Sequence, residues 1–163
     1  MKLNVSSFPL RRYLKLLAVY LVAVIIWLAA ATGVQAASEA WITVYRDPSC
    51  SCCSGWIEHL TAQGFQPRNV LTSDMNVLKQ QYHVPNDLAS CHTAVINGYV
   101  IEGHVPANDI KRLIAEHLDV AGIAVPGMPI GTPGMESEKV QEPFTVFSFD
   151  EQGNAEAFDQ YSF

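Results

Sequence analysis

The chain has 163 residues, of which 49% are hydrophobic, and a formal net charge of −6. All sixteen acidic residues but only six of the ten basic residues follow residue 36, so residues 37–163 carry a net charge of −10. No basic patch remains in that part, which argues against nucleic acid as a partner. Its 127 residues are enough for one domain with its own hydrophobic core.

The N-terminal segment is typical of an export signal. Four basic residues precede an apolar run from Leu16 to Ala31, and Val34-Gln35-Ala36 follows. This layout predicts a secretory signal peptide over residues 1–36 that is cleaved after Ala36. The alternative is an uncleaved membrane anchor over residues 16–34, because the apolar run approaches the roughly 18 residues of a spanning helix. In both cases we expect residues 37–163 to face an extracytoplasmic compartment.

Three of the four cysteines, Cys50, Cys52 and Cys53, lie within four residues of one another. The β-branched and aromatic run from Trp41 to Tyr45 predicts a strand before them, and the amphipathic run that begins at Trp56 predicts a helix after them. Free N–H groups and the positive dipole end of a helix favour thiolate over thiol, and the thiolate is the form that binds metals or attacks disulfides. We therefore expect the chemistry of the chain to be concentrated at this turn.

The rest of the chain predicts further regular elements separated by turn residues. They are, in order, a strand at 65–71, a helix through Met75 and Tyr82, a hairpin around Asn97-Gly98, a helix after Pro106, and strands at 144–149 and 155–158. The Gly- and Pro-rich residues 120–135 predict a loop.

This order of elements is that of a thioredoxin-like domain, an α/β fold with a central mixed sheet and flanking helices. The final two strands add a C-terminal β-hairpin extension. In such a fold the third strand begins beside the N-terminus of the first helix. We therefore expect Cys91-His92 to lie next to Cys50 and Cys53, although about forty residues separate them.

Several segments of the chain resemble the CopG-type family, long described as uncharacterised metal-binding proteins. They are Tyr45 to Trp56 with its Cys-x-Cys-Cys motif, Leu88 to Thr93, Gly98 to Pro106, and the Pro-Gly-Met segments around Met128 and Met135. The resemblance covers residues 41–150. It implies a periplasmic, thioredoxin-like protein that is linked to copper resistance and binds copper through its cysteines, and it is consistent with a copper redox role.

Two alternatives for the cysteines need no metal. In an exported protein, the four cysteines suggest two structural disulfides, but a bond between the adjacent Cys52 and Cys53 would be strained. A single bridge from Cys50 to Cys53 would instead suggest a thiol–disulfide oxidoreductase. His92-Thr93 stands where thioredoxins keep a cis-proline, and this argues against ordinary disulfide exchange.

Clustered thiolates select soft or borderline metals, which here means Cu(I) or zinc. Zinc would be held in a closed tetrahedron by Cys50, Cys53, Cys91 and either Cys52 or a histidine. Copper also accepts thioether sulfur. Both candidate methionines lie in matching Pro-Gly-Met contexts, which favours copper.

Two of the five histidines are candidate ligands: His92 adjoins Cys91, and His104 follows the hairpin. The other three are expected on the surface. Asp47 and Glu102 are candidates for carboxylates that orient a ligand imidazole. Asp47 also fits a turn with Pro48 and the following serines.

The leading hypothesis is an exported copper-binding protein whose cysteines hold one or more Cu(I) ions, as a thiolate-bridged cluster when several are bound. Imidazole tolerates Cu(I) and Cu(II), so a mixed site would allow a copper oxidoreductase activity. The expected partners are copper ions with other periplasmic copper-handling proteins or an electron donor or acceptor. A zinc- or disulfide-stabilised interaction domain is a further alternative. The candidate ligands are Cys50, Cys52, Cys53, Cys91, His92, His104, Met128 and Met135.

Overall fold

The computed structural model describes residues 10–31 and 40–163. The chain divides into two compact units, Met1–Ser38 and Glu39–Phe163. In the first unit, helix α1 spans Leu10–Ala31. Within the described residues, no helix combines the length and the apolar character needed to cross a membrane. The cleavage site expected after Ala36 lies outside the described residues.

The second unit alternates strands and helices. Its strands are β1 (Ala40–Arg46), β2 (Phe65–Leu71), β3 (His92–Ile96), β4 (Tyr99–Glu102), β5 (Gly122–Ala124), β6 (Phe144–Phe149) and β7 (Ala155–Tyr161). Its helices are α2 (Cys52–Ala62), α3 (Met75–Gln81) and α4 (Ala107–Glu116), with a 3₁₀ turn at Asn86–Leu88. The predicted strands, helices and hairpin are present.

The strands form one mixed sheet in the order β2-β1-β3-β4-β5-β6-β7. Strand β1 is parallel to β2 and antiparallel to β3, which in turn is antiparallel to β4. Strand β5 is parallel to β4, and β6 and β7 complete the sheet as antiparallel neighbours. The predicted α/β class with a central mixed sheet is therefore confirmed.

The prediction of a continuous loop over residues 120–135 is wrong, because this segment contains the short strand β5. All three residues of Gly122–Ala124 are buried. A β-carbon at Gly122 would overlap the carbonyl oxygen of Val100 on the neighbouring strand, so only glycine permits this approach. Through β5 the C-terminal hairpin continues the main sheet. A strand of three small and apolar residues is too short to be recognised from periodicity.

The C-terminal hairpin is also held to helix α4 by polar contacts. The hydroxyl of Tyr161 donates a hydrogen bond of 2.8 Å to Asp109, whose side chain is buried. Arg112 donates to the carbonyl oxygen of Phe158 at 3.0 Å and lies over its ring. Burial raises the pKa of Asp109 to about 6, with a further contribution from Asp159. This carboxyl group is therefore a titratable contact between the helix and the hairpin.

Trp56 connects the cysteine turn to the core. Its side chain is fully buried and its indole Nε1–H donates to the carbonyl oxygen of Val105 at 2.8 Å. Its ring lies against that of His92, with centroids 4.3 Å apart. The first turns of α2 are thereby packed against the segments that carry His92 and His104.

Candidate metal centre

The cysteine turn begins with a compact loop built on Asp47. The carboxylate of Asp47 accepts hydrogen bonds from the backbone N–H and the hydroxyl of Ser49, at 2.8 and 2.5 Å. The N–H of Cys50 donates to the Asp47 carbonyl at 3.0 Å, and Arg46 donates to the Cys50 carbonyl at 3.0 Å. The hydrogen bonds from Ser49 lower the pKa of Asp47. Asp47 therefore has the turn-forming role that its sequence context allowed.

Cys50 and Cys53 form a disulfide, with their Cα atoms 5.6 Å apart. Cys52 and Cys91 are free thiols. The Sγ atom of Cys52 lies 3.6 Å from that of Cys50, and the Sγ atom of Cys91 lies 3.8 Å from that of Cys53. Cys91 thus lies beside the turn as predicted. Residues 40–163 contain one disulfide, so the alternative of two structural bridges does not describe this state.

Two imidazoles approach Cys91 from the other side. Nδ1 of His92 and Nε2 of His104 each lie 3.2 Å from the Sγ atom of Cys91. Both histidines are fully buried, and their ring centroids are 5.1 Å apart. The four cysteine sulfurs form one group of atoms within 4.8 Å of one another, and Cys91, His92 and His104 form a second. Cys91 belongs to both groups.

The carbonyl oxygen of Pro133 orients the ring of His104. It lies 2.7 Å from Nδ1, and a carbonyl only accepts hydrogen bonds, so Nδ1 carries the proton. The lone pair of Nε2 is then directed at Cys91. A backbone carbonyl on the non-ligating nitrogen is the arrangement that orients metal-binding histidines in proteins.

Burial favours the neutral forms of Cys91, His92 and His104. Burial raises the pKa of Cys91 to about 12, and Cys52 adds to this effect. Burial lowers the pKa of His92 well below its ordinary value, and it also lowers the pKa of His104. A metal would therefore displace a proton from the Cys91 thiol on binding.

Glu102 does not hold an imidazole, contrary to one of the sequence interpretations. Its buried carboxylate forms an ion pair with Lys79 and accepts hydrogen bonds from the Ser90 N–H and the Thr93 hydroxyl, each at 2.6 Å. Burial raises the pKa of Glu102, and Lys79 opposes this rise. Because Ser90 precedes Cys91, the ion pair fixes the backbone that carries the thiol. In the sequence, the only signal for this ion pair was Glu102 itself, an ionisable residue at the end of an apolar strand.

The loop of Pro-Gly-Met segments covers the first turn of α2. Gly134 has φ +81°, and a β-carbon there would overlap the backbone nitrogen of Trp56. A β-carbon on Gly55 would in turn come within 2.9 Å of the Gly134 Cα atom. This close backbone packing places Pro133 against His104, a contact that sequence patterns did not indicate.

The two candidate methionines occupy different environments. Met128 is 53% exposed and lines a cleft of about 360 Å³ together with Cys91, Lys79 and Ser90. Met135 is partly buried, and its N–H donates to the Thr132 carbonyl at 2.8 Å. Met128 therefore shares a cleft with a candidate thiol, whereas the backbone of Met135 stabilises the loop. Their role as ligands stays a prediction.

The other three histidines lie apart from these two groups of donor atoms. His59 is half-buried on α2 and accepts a hydrogen bond from the Ala107 N–H at 3.3 Å. This corrects the expectation that it lies on a solvated face. His83 and His117 are exposed at helix ends, as expected, and both have positive φ.

Two solved structures, named copper resistance protein CopG in Form 1 and Form 2, align with the chain at a TM-score of 0.72 and 44% identity. Each alignment covers 76% of this chain and 98% of the solved chain. The chain belongs to the CopG family. Residues 88–135 of the chain also match the family described as a protein of unknown function, DUF411. No curated protein gives a significant match. The resemblance found in the sequence motifs is thus confirmed.

Proposed function

We propose that this protein binds copper and takes part in copper resistance, with its four cysteines as ligands of Cu(I). The observation that carries the proposal is that all four cysteine sulfurs lie within 4.8 Å of one another. Thiolates so close together can bridge metal ions, which favours a multinuclear copper cluster, and thiolate is a ligand that Cu(I) prefers. The names of the two solved relatives support copper over zinc.

Binding through all four sulfurs requires the reduced protein. In the oxidised state Cys50 and Cys53 are bonded to each other and cannot act as thiolates. Two electrons and two protons from a dithiol reductant convert this disulfide to two thiols, and the reductant becomes a disulfide. Each thiol then loses its proton when it binds copper.

His92 and His104 complete the coordination in this proposal. Their nitrogens already lie 3.2 Å from Cys91, and the Pro133 carbonyl directs one of them at the thiol. Imidazole tolerates both oxidation states of copper, so the site would interconvert Cu(I) and Cu(II). Each oxidation would release one electron to an acceptor, which implies an electron-transfer partner. Met128 would supply thioether sulfur from the adjoining cleft, and Met135 is retained as a further candidate.

The proposal includes a thioredoxin-like fold for β1 to α4 and an exported location. The fold is supported by the order β2-β1-β3-β4, with a cysteine turn at the start of α2. Export to the periplasm is supported by the basic and apolar N-terminal pattern and by the Val34-Gln35-Ala36 site. An uncleaved anchor over residues 16–34 would leave the same domain outside the cytoplasm.

A thiol–disulfide oxidoreductase is the second candidate function. The observation in its favour is the Cys50–Cys53 disulfide at the N-terminus of α2, where thiol pKa values are lowered in redox proteins. The free thiols beside both sulfurs count against it, because they would divert a mixed disulfide. Insulin reduction by the metal-free protein, lost in Cys50→Ser, would favour this candidate.

The copper proposal is tested by metal content. The full chain is reduced and purified without oxygen, offered Cu(I) and zinc together, and analysed by elemental mass spectrometry. We expect several equivalents of copper per chain and no zinc. Replacement of all four cysteines by serine should abolish the copper. One zinc per chain, or copper that persists without the cysteines, would contradict the proposal.

A further inference from the structure

We propose that the disulfide form of the protein keeps a separate site for one copper ion, formed by Cys91, His92 and His104. This inference rests on the proposed copper function but concerns the oxidised protein. In that state the disulfide removes two of the four thiolates, whereas the sulfur of Cys91 and both imidazoles remain available. The structure is itself in this state.

The three donor atoms already have the spacing of ligands to one ion. Each imidazole nitrogen lies 3.2 Å from the Cys91 sulfur, and all three atoms lie within 4.8 Å of one another. A sulfur about 2.3 Å and a nitrogen about 2.0 to 2.1 Å from one metal ion are about 3.6 Å apart at a tetrahedral angle. Movement of a few tenths of an ångström would therefore close the site.

The orientation of His104 does not depend on the disulfide. Its Nδ1–H donates to the Pro133 carbonyl, and Pro133 is held by the packing of Gly134 on the backbone of Trp56. Its Nε2 lone pair is thus directed at Cys91 before any metal binds. Preorganisation of this kind favours metal binding because no ring rotation is needed.

His92 supplies the second, independent observation. Its side chain is fully buried, and within residues 40–163 its Nε2 atom has no hydrogen-bond partner. The ring is positioned instead by its packing against Trp56 and by the contact of Nδ1 with Cys91. With the proton on Nε2, the lone pair of Nδ1 faces the Cys91 sulfur at 3.2 Å.

One thiolate with two imidazoles is the equatorial donor set of mononuclear copper sites that transfer electrons. Such a set differs from the all-sulfur group formed by the four cysteines. The disulfide would thus select between two modes of binding: several Cu(I) ions in the reduced protein and one copper ion in the oxidised protein. Binding at the second site transfers the Cys91 proton to solvent and changes no other bond.

The test uses the full chain with its Cys50–Cys53 disulfide intact. The oxidised protein is titrated with Cu(II), freed of unbound metal, and analysed by elemental mass spectrometry and visible absorption. We expect one copper per chain and a strong thiolate-to-copper absorption. His104→Gln and Cys91→Ser should each lose the absorption and weaken binding by about tenfold or more. His117→Asn is the matched control, because His117 is exposed and has a φ of +49° that asparagine tolerates.

A second measurement needs no variant of the site. One equivalent of copper should protect Cys91 of the oxidised wild-type protein from N-ethylmaleimide, and a chelator should restore its reactivity. The inference fails if the disulfide form binds no copper, if His104→Gln binds copper as tightly as the wild type, or if Cu(II) instead oxidises Cys52 and Cys91 to a second disulfide. If the reduced protein still binds copper through its cysteines, only this inference is overturned. Failure of the reduced protein to bind would overturn the proposed function.

Discussion

The sulfur of Cys91 lies 3.8 Å from that of Cys53, although 38 residues separate them in the chain. The contact follows from the pairing of β1 with β3, in which Arg46 lies opposite His92. The two strands are antiparallel, so the residues after Arg46 and the residue before His92 lie at the same edge of the sheet. The free thiol is thereby brought to the cysteine turn and to both histidines.

The reduced protein should depend on Cys91 for its copper capacity. Its sulfur is common to the four-cysteine group and to the group with two histidines, so Cys91→Ser removes a ligand from both. We expect the reduced variant to bind at least one copper ion fewer per chain. Metal content after gel filtration measures this, with far-UV circular dichroism as the control for folding. An unchanged copper content would show that Cys91 is not a ligand.

The Lys79–Glu102 ion pair should be essential for stability. Glu102 is fully buried, so Lys79→Met would leave an uncompensated carboxylate in the interior. We expect it to lower the free energy of unfolding by about 3 kcal/mol, as is typical when one partner of a buried pair is removed. The double variant Lys79→Met/Glu102→Gln should lose less. Urea unfolding measures both, and equal losses in the single and double variants would contradict the assignment.

The packing of Gly134 on α2 should be essential for the orientation of His104. Gly134→Ala combines a positive φ with overlap against the Trp56 nitrogen, and we expect a loss of about 2 kcal/mol or more in stability. Copper affinity should fall as Pro133 moves away from His104. Gly127→Ala is the matched control, because its φ is +69° but no atom lies within 4 Å of the added β-carbon. Similar effects of both substitutions would show that backbone strain alone is responsible.

Asp109 should make stability depend on pH. Its pKa is raised from 3.8 to about 6 in the folded protein, so the unfolded chain loses this proton first as the pH rises. The folded state is then favoured below about pH 4, and this contribution is lost as the pH rises through 6. At about 1.4 kcal/mol for each unit by which the pKa is raised, the shift sets the upper limit of this contribution to stability. We expect a smaller loss of about 1 to 2 kcal/mol, because Arg112 and Asp159 are partly exposed and solvent screens their charges.

Urea unfolding from pH 4 to 7 measures this effect, and Asp109→Asn provides the comparison. The amide stays neutral, so the variant should lack the fall in stability in that window. Tyr161 donates its hydroxyl hydrogen to Asp109, and the side-chain oxygen of asparagine can accept the same bond. A pH profile that is unchanged in Asp109→Asn would assign the titration to another group.

The sequence by itself determined the α/β class, most of the element bounds, the family and the cysteine turn. These follow from local signals: the periodicity of apolar residues, Asn97-Gly98 in the hairpin, and the spacing of Cys50, Cys52 and Cys53. The contact with Cys91 was also predictable, because the order of the elements constrains how neighbouring strands pair.

Only the tertiary structure decided which groups surround the thiols. The Pro133 carbonyl at His104, the Lys79 ammonium at Glu102 and the short strand β5 depend on register and burial across distant segments. Burial also raises the pKa of Cys91, an effect of solvent exclusion that the sequence did not predict. Such effects arise from the packing of the whole domain, and no local pattern in the sequence encodes them.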